Sequence, residues 1–166
     1  MKAILQRVSK ASVTIADKNY HSEIKKGILI LLGIKTGDTE SDVEFVADKC
    51  TNLRIFPRRD GFPEDDQNKM NISVKDIDGE VLIISQFTLY GDTSKGNRPG
   101  FTEVAKPEEA IPLYESFINR IKENIGKEKV KTGIFGAMMD IQSINHGPVT
   151  VIVESKILKE VTINYE

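Results

Sequence analysis

The segment SQFTLYGD, residues 85–92, follows four apolar residues, 81–84, that are typical of a buried strand. Its serine and threonine hydroxyls are potential nucleophiles. If the strand continues to Tyr90, its alternating side chains place polar groups on both faces. Because a buried hydroxyl or amide needs a partner, this strand end either emerges into solvent or lines a polar cavity.

A hydroxyl nucleophile at Ser85 or Thr88 needs a base within hydrogen-bond reach, and bases are scarce in this chain. The histidines are His21, beside a predicted turn, and His146, next to a glycine. His146 is a candidate base for either hydroxyl, which leaves a small-molecule esterase open, although a histidine beside a turn glycine is more typical of a solvated surface. The chain has no glycine-flanked serine of the hydrolase type and no glycine-rich phosphate loop.

The histidines and the single cysteine lack the spacing of a zinc site, so the sequence predicts no metal and no cofactor. Cys50 recurs with apolar residues at helical spacing, which predicts a packing role. A lone cysteine cannot form an internal disulfide, which fits a reducing compartment. No run has the length of a membrane helix or the apolar core of a secretory signal, so we expect a cytoplasmic protein.

The segment NHGPVT, residues 145–150, interrupts two runs that are otherwise typical of strands. Proline cannot donate a hydrogen bond to a central ladder. The segment therefore predicts a hairpin-like turn, and a cis bond between Gly147 and Pro148 is the less common alternative.

The charge of the chain limits its contact with nucleic acid. A net charge of −2 and a pI of about 5.8 argue against a protein that wraps duplex DNA or RNA. Any such contact must be local, and the best candidate is TSKGNRPGF, residues 93–101, which carries Lys95 and Arg98. The alternative for this segment is a solvated turn.

Runs rich in Val, Ile, Leu and Thr predict six strands, at residues 2–7, 12–16, 27–34, 80–90, 138–144 and 149–154.

One helix is predicted to begin with Asp38 or Thr39 as its N-cap, and a second to begin at Pro107 or Pro112 and end near Glu123. Strands grouped around single helices favour an α+β fold, a small antiparallel β-barrel or sheet with two main helices packed outside. The length of 166 residues suits one domain. The charged, proline-containing segment 56–69 is predicted to be an exposed loop.

Four separated motifs resemble those of the D-aminoacyl-tRNA deacylases of the widespread bacterial and eukaryotic type. They are QRV at residues 6–8, NLRIF at 52–56, SQFTLYGD with the following KGNRPGF, and GPVT at 147–150. The segment TGIFGAMMDI, residues 132–141, is also similar to the family. The resemblance runs to about Ser155, so we expect a deacylase domain at residues 1–155 and a C-terminal extension at 156–166.

The chain departs from the family pattern in three places. Gly91 stands where the family usually has alanine, and His146 stands where it usually has an acidic residue. The loop at residues 56–69 is longer than in most bacterial members.

The resemblance implies an enzyme that hydrolyses the ester between a D-amino acid and the terminal ribose of tRNA, and that removes mischarged glycine. In the mechanism that it implies, the 2′-hydroxyl of the terminal adenosine assists and no side-chain nucleophile is required. Backbone N–H groups of Phe87 and Thr88 would stabilise the oxyanion. Ser85 and Gln86 would position the substrate amine or water, and a nucleophilic Thr88 side chain is the alternative.

The resemblance also implies a homodimer with active sites at the subunit interface. A cis Gly147–Pro148 dipeptide would enter the partner subunit's site, where its carbonyls occupy the space that an L side chain needs. Arg7, Phe135 and Met139 match positions that brace this dipeptide, and a guanidinium suits the gripping of carbonyls.

Lys95 and Arg98 would contact the acceptor end of the tRNA partner. The main alternative function is a non-catalytic RNA-binding barrel that uses the same two cations without hydrolysis.

Overall fold

A computed structural model of the chain describes residues 1–58 and 69–155, in which a mixed β-sheet curls into a nearly closed barrel with two helices outside. Its strands are β1 (Lys2–Ile15), β2 (Tyr20–Ile24), β3 (Gly27–Gly33), β4 (Phe56–Pro57), β5 (Met70–Ile72), β6 (Glu80–Ser85), β7 (Val130–Thr132) and β8 (Asp140–Glu154). The helices are α1 (Glu40–Asn52) and α2 (Pro107–Ile125).

Strand β1 connects the sheet because it pairs with three other strands, all antiparallel. Its first half pairs with β3, from Lys2 opposite Gly33 to Val8 opposite Gly27. Its second half pairs with β2 on the same edge, and its other edge carries β8. The two strands predicted at residues 2–7 and 12–16 are therefore one strand. The polar residues Ser9 and Lys10 between them are exposed where the pairing with β8 shifts register.

The predicted α+β barrel with two outer helices is confirmed, but its sheet is mixed instead of antiparallel throughout. Strand β6 runs parallel to β3 on one side and to β7 on the other. Residues 81–84 of β6 are buried on both faces, which explains their unbroken apolar run. The prediction of a purely antiparallel sheet was wrong here because α1 lies in the crossover that returns the chain to β6.

The helices begin close to the predicted residues. Thr39 is the N-cap of α1 and forms a capping box with Asp42, whose carboxylate also accepts the Thr39 N–H at 2.8 Å. Helix α2 begins with Pro107 at its first position, where a missing N–H costs no helical bond. Pro112 lies inside α2, so the helix starts earlier than its second proline. The apolar face of α2 is buried against the barrel.

Two predictions about strands are wrong. The first is the length of the strand predicted at residues 80–90. Strand β6 ends at Ser85, and residues Phe87–Tyr90 form a 3-10 turn, so the predicted alternation of faces through Tyr90 does not occur. The reason is loss of a partner, because β3 ends at Gly33 and the Gln86 N–H makes the last bond, to the Leu32 carbonyl, at 2.8 Å.

The second correction concerns β8, which is one strand and not two strands joined by a hairpin-like turn. Residues 146–149 form a bulge opposite the single residue Arg7, and the Gly147–Pro148 peptide bond is cis. Strands β2, β4, β5 and β7 were not predicted, and the last three are only two or three residues long.

Cys50 is buried in the core, as predicted, and burial raises the pKa of its thiol. Across residues 1–58 and 69–155, none of the helices has the length and apolar character that a membrane crossing requires. Most of the predicted loop at 56–69 and the whole predicted extension at 156–166 lie outside the described residues.

Candidate functional site

A cleft of about 360 Å³ opens at the carboxyl end of β6. One wall is the end of β6 with the turn that follows, a second is the segment 135–139 before β8, and a third comes from the start of α2 and the two residues 104–105 before it. Most lining side chains are apolar, while Ser85 and Gln86 are polar. The lining residues are Leu32, Ile34, Ile84, Ser85, Gln86, Phe87, Val104, Ala105, Ala110, Phe135, Gly136, Ala137, Met138, Met139 and Ile141.

The 3-10 turn at the cleft wall leaves backbone donors unused. The first N–H groups of a helical turn have no partner inside the turn. Among the described residues, no acceptor pairs with the N–H of Phe87 or Thr88, whereas the N–H of Leu89 donates to the Gln86 carbonyl at 3.3 Å. Two consecutive backbone donors therefore remain free next to the cleft.

The polar side chains of this segment are held by their neighbours. The Gln86 amide donates to the Thr88 hydroxyl. The Tyr114 hydroxyl, on α2, donates to the Ile83 carbonyl at 3.1 Å. Burial is the main cause that raises the Tyr114 pKa, so the phenol stays neutral. Helix α2 thus fixes the end of β6, from which the cleft wall starts.

The bulge in β8 is built around Arg7, which is 8% exposed. Its Nε donates to the His146 carbonyl at 2.8 Å and its Nη1 donates to the Ile55 carbonyl at 2.7 Å. Gly147 has φ 141°, and a Cβ at this position would lie 2.8 Å from Nη2 of Arg7. Only glycine fits this backbone against the guanidinium without strain.

A second clamp on the bulge comes from Asn145. Its Oδ1 accepts the N–H of Val149 at 3.0 Å, and its Nδ2 donates to the Thr150 hydroxyl at 3.3 Å. These bonds join the two ends of the bulge, which leaves Gly147 and Pro148 exposed between them.

The structure divides the predicted site residues into three groups. Ser85, Gln86, Phe87, Phe135 and Met139 line one cleft, and Thr88 follows directly in the turn.

Arg7, Gly147 and Pro148 form the bulge and do not line that cleft in the same chain. Of the residues expected to brace the dipeptide, Arg7 contacts it, whereas Phe135 and Met139 belong to the cleft.

Lys95 and Arg98 lie on a third feature, the loop of residues 92–100. Paired backbone bonds between Asp92 and Gly100, at 2.7 and 2.9 Å, close its base. Both cations are exposed. The Asp92 carboxylate accepts the Ser94 N–H at 2.9 Å, and this bond lowers the pKa of the carboxyl.

Among the residues that the structure describes, no side-chain base is hydrogen-bonded to the hydroxyl of Ser85 or Thr88. His146 lies on the bulge of β8, and no hydrogen bond joins its ring to Ser85 or Thr88 within the described part of the chain. In the same part of the chain, no group of three or more His, Cys, Asp or Glu side chains is arranged to hold a metal ion.

Two contributors to the site were missed from the sequence. Asn145, which clamps the bulge, stands two residues before Gly147 in a pattern that a turn would also explain. Tyr114 was assigned only to the apolar face of α2, although a tyrosine on a buried helix face needs a hydrogen-bond partner and could have signalled this contact.

The chain is thus a small mixed β-barrel with two outer helices. Its largely apolar cleft lies at the carboxyl end of β6, a central parallel strand. Residues 4–154 match the family model described as D-Tyr-tRNA(Tyr) deacylase, and the chain belongs to this family.

The relatives agree with that assignment over nearly the whole chain. A D-aminoacyl-tRNA deacylase of Flavobacterium psychrophilum is 51% identical over 94% of this chain and 98% of its own length. One from Halalkalibacterium halodurans is 53% identical over 94% of this chain and 100% of its own. A solved structure named c-Myc DNA Unwinding Element Binding Protein superposes with a TM-score of 0.82 at 39% identity, covering 93% of this chain and 99% of that one.

Proposed function

We propose that this chain hydrolyses the ester bond of D-aminoacyl-tRNA and of mischarged glycyl-tRNA, releasing free amino acid and tRNA. Its place of action is then the cytoplasm, where tRNA is charged and used. Membership of the family and the names of relatives at 51% and 53% identity support this reaction.

The observation that carries the proposal is the pair of free N–H groups at Phe87 and Thr88. Attack on an ester carbonyl builds negative charge on its oxygen, and preorganised donors stabilise that charge best where water is excluded. Phe87 lines the apolar cleft, so the donors lie at its wall. Each oxyanion donor of this kind is worth roughly 3 to 4 kcal/mol of transition-state stabilisation.

The reaction needs no protein nucleophile in this arrangement. Water attacks the ester carbonyl, and the bond between that carbon and the ribose oxygen breaks. The proton from water passes by way of the neighbouring 2′-hydroxyl to the departing ribose oxygen. Ser85 and Gln86 hold the substrate amine or the water in register, and Phe135 and Met139 supply apolar walls for the bound ester.

Selection against L-amino acids is assigned to the bulge of a second subunit. Gly147 and Pro148 are exposed, and Arg7 and Asn145 brace their surroundings, so the dipeptide is a braced projection that does not line the cleft of its own chain within the described residues. A homodimer in which it enters the partner subunit's cleft would use it as a steric filter.

Exposed apolar residues on β8 support this homodimer. Ile144 and Ile152 are 62% and 64% exposed on a strand whose only paired edge, within the described residues, is the one facing β1. Contact with a second copy would remove this surface from water.

The direct test is incubation of the purified protein with tRNA charged with D-tyrosine or with L-tyrosine. We expect release of D-tyrosine at a rate far above spontaneous hydrolysis, with L-Tyr-tRNA left intact. Equal loss of both esters would contradict the chiral filter, and binding of D-Tyr-tRNA without hydrolysis would contradict the enzymatic function.

That last outcome would favour the second candidate, a non-catalytic nucleic-acid-binding barrel. The solved structure at 39% identity is named for binding to a DNA element, and this name is the reason to test the second candidate. The net charge of −2 disfavours it, because a duplex-binding surface requires many cations.

A further inference from the structure

An aromatic pair is exposed beside the cleft, and its two rings have no role in the proposed reaction. The rings of Phe87 and Phe101 meet edge to face with centroids 5.1 Å apart. Phe87 is 56% exposed and Phe101 is 41% exposed. Burying such rings inside the barrel would be favourable, so their position outside indicates a surface that meets another molecule.

The position of Phe101 connects two features that are otherwise separate. Its ring packs against Phe87, which lines the cleft. It also follows Gly100, whose backbone closes the base of the loop that carries Lys95 and Arg98. The exposed path therefore runs from the cleft across Phe87 and Phe101 to this loop.

Gly91 permits this packing. A Cβ at residue 91 would lie 3.1 Å from Cε1 of Phe101 and 3.1 Å from the Thr88 carbonyl oxygen. The glycine thus allows the Phe101 ring to lie close against the turn, which brings the ring near to the cleft.

The charge along the path suits a phosphate backbone. The loop of residues 92–100 carries two cations and one anion, Asp92, whose carboxylate is already bonded to the Ser94 N–H. Lys95 and Arg98 are exposed. A ligand with a flat apolar face followed by a phosphate matches the order of ring and cations.

We propose that Phe101 is a stacking platform for the base of the nucleotide that precedes the terminal adenosine of bound tRNA. The proposal rests on the proposed function, which places the terminal adenosine ester in the cleft. The next base then lies over Phe101, and Lys95 and Arg98 contact the phosphates beyond it. Stacking is tolerant of base identity, which suits an end that all tRNAs share.

The first test compares two substrates that differ only beyond the terminal nucleoside. These are D-Tyr-tRNA and the D-tyrosyl ester of adenosine, which has no preceding nucleotide. Phe101→Leu removes the aromatic face and keeps an apolar side chain. We expect its loss of kcat/KM on D-Tyr-tRNA to exceed its loss on the adenosine ester by about 5- to 100-fold. Phe101→Tyr, which keeps the ring, should restore the wild-type ratio.

The matched control is Phe45→Leu, the same chemical change on α1. It should leave the ratio between the two substrates at the wild-type value. If Phe101→Leu lowers kcat/KM equally on both substrates, so that their ratio stays at the wild-type value, the stacking role is overturned. Failure of the wild-type protein to hydrolyse either substrate would instead reject the proposed function.

A binding test keeps the stacking proposal separate from catalysis. The chain contains no tryptophan, so Phe101→Trp places a single tryptophan at the platform, and excitation at its red edge avoids the four tyrosines. The trinucleotide CCA without an attached amino acid should quench the tryptophan emission strongly, and adenosine alone should not. Met70→Trp, at a 55% exposed position on β5, is the control and should respond to neither.

Quenching by CCA no greater than quenching by adenosine would contradict the proposal. So would a change of oligomeric state in Phe101→Leu, measured by light scattering, because the ring would then belong to a subunit interface.

Discussion

Thr88 offers two different groups to a substrate, a side-chain hydroxyl and a backbone N–H. The hydroxyl accepts a hydrogen bond from the Gln86 amide and has no base beside it among the described residues. The N–H is free because it belongs to the first residues of a 3-10 turn. A hydroxyl without a base is a weak nucleophile, whereas a fixed N–H is useful without activation.

Substitutions at Thr88 should separate these two roles. Thr88→Ala keeps the N–H, so we expect single-turnover hydrolysis of D-Tyr-tRNA within about 10-fold of wild type. Thr88→Pro removes the N–H and should lose at least about 100-fold, as expected for one oxyanion donor. Circular dichroism and thermal unfolding would verify that both variants fold. A loss in Thr88→Ala as large as that in Thr88→Pro would identify the hydroxyl as the nucleophile.

At the scale of secondary structure, two exceptions to regular pairing create the site. Strand β6 stops pairing at Ser85, which starts the turn, and β8 contains the bulge opposite Arg7. The first occurs where the partner strand β3 ends, and the second occurs where the register between β8 and β1 shifts. The regular parts of the barrel therefore position the turn and the bulge.

The two outer helices are joined by Asp48 on α1. Arg120 on α2 grips its carboxylate with two bonds, at 2.9 and 2.8 Å, and Asn124 adds a third at 2.9 Å. The bonds from Arg120 and then from Asn124 lower the pKa of Asp48 from 3.8 to about 2. A lowered pKa means that folding stabilises the ionised carboxylate, which adds to the free energy of unfolding. This addition is lost as pH falls from about 4 towards 2.

Asp48→Asn should therefore lower the free energy of unfolding near neutral pH by about 0.5 to 1 kcal/mol, a modest value because both side chains are partly exposed. Urea unfolding of both proteins between pH 7 and pH 3 would test this. The difference between them should stay constant down to about pH 4 and then shrink. A difference that grows on acidification would assign the stability to another group.

Much of this architecture is readable from local sequence. Thr39 with Asp42, and Pro107 at a helix start, are signals that depend only on neighbouring residues. The end of β6 is different, because Gln86 leaves the sheet only where β3 ends at Gly33, some fifty residues earlier in the chain. Local sequence carries no signal for pairing between residues so far apart in the chain. The predicted strand therefore extends too far, to Tyr90 instead of Ser85.

The bulge was missed for the same reason. Asn145 and Pro148 are typical of a turn, and the sequence gives no sign that Arg7 lies opposite them. The site residues themselves came from motif resemblance. Their division into a cleft group and a bulge group emerges only when β1, β6 and β8 are placed in space.

At the scale of the whole molecule, a protein of net charge −2 must bind tRNA through few cations. If Lys95 and Arg98 contact phosphates, the variant Lys95→Ala/Arg98→Ala should weaken binding of all tRNAs about equally. The slope of log affinity against log salt should fall by about 1.4 to 1.8, the value for two phosphates. The matched control is Lys25→Ala/Lys26→Ala, which has the same charge change on the exposed turn after β2. Equal slopes for the two variants would remove the loop from the tRNA interface.

If the bulge of each subunit enters the cleft of its partner, a dimer of two different variants can test the proposal. Gly147→Ala strains the bulge at φ 141° and should let L-Tyr-tRNA into the partner's cleft. Thr88→Pro should be inactive but keeps an intact bulge.

In a mixed dimer, the working cleft of the Gly147→Ala subunit receives the intact bulge of the Thr88→Pro subunit. Unfolding, mixing and refolding the two variants together should therefore restore selectivity, with L-Tyr-tRNA hydrolysis per Gly147→Ala chain falling by about half or more while D-Tyr-tRNA hydrolysis persists. The control is Gly147→Ala refolded with itself. If adding the inactive subunit leaves the ratio of D to L hydrolysis unchanged, each cleft is filtered by its own chain and the shared-site homodimer is wrong.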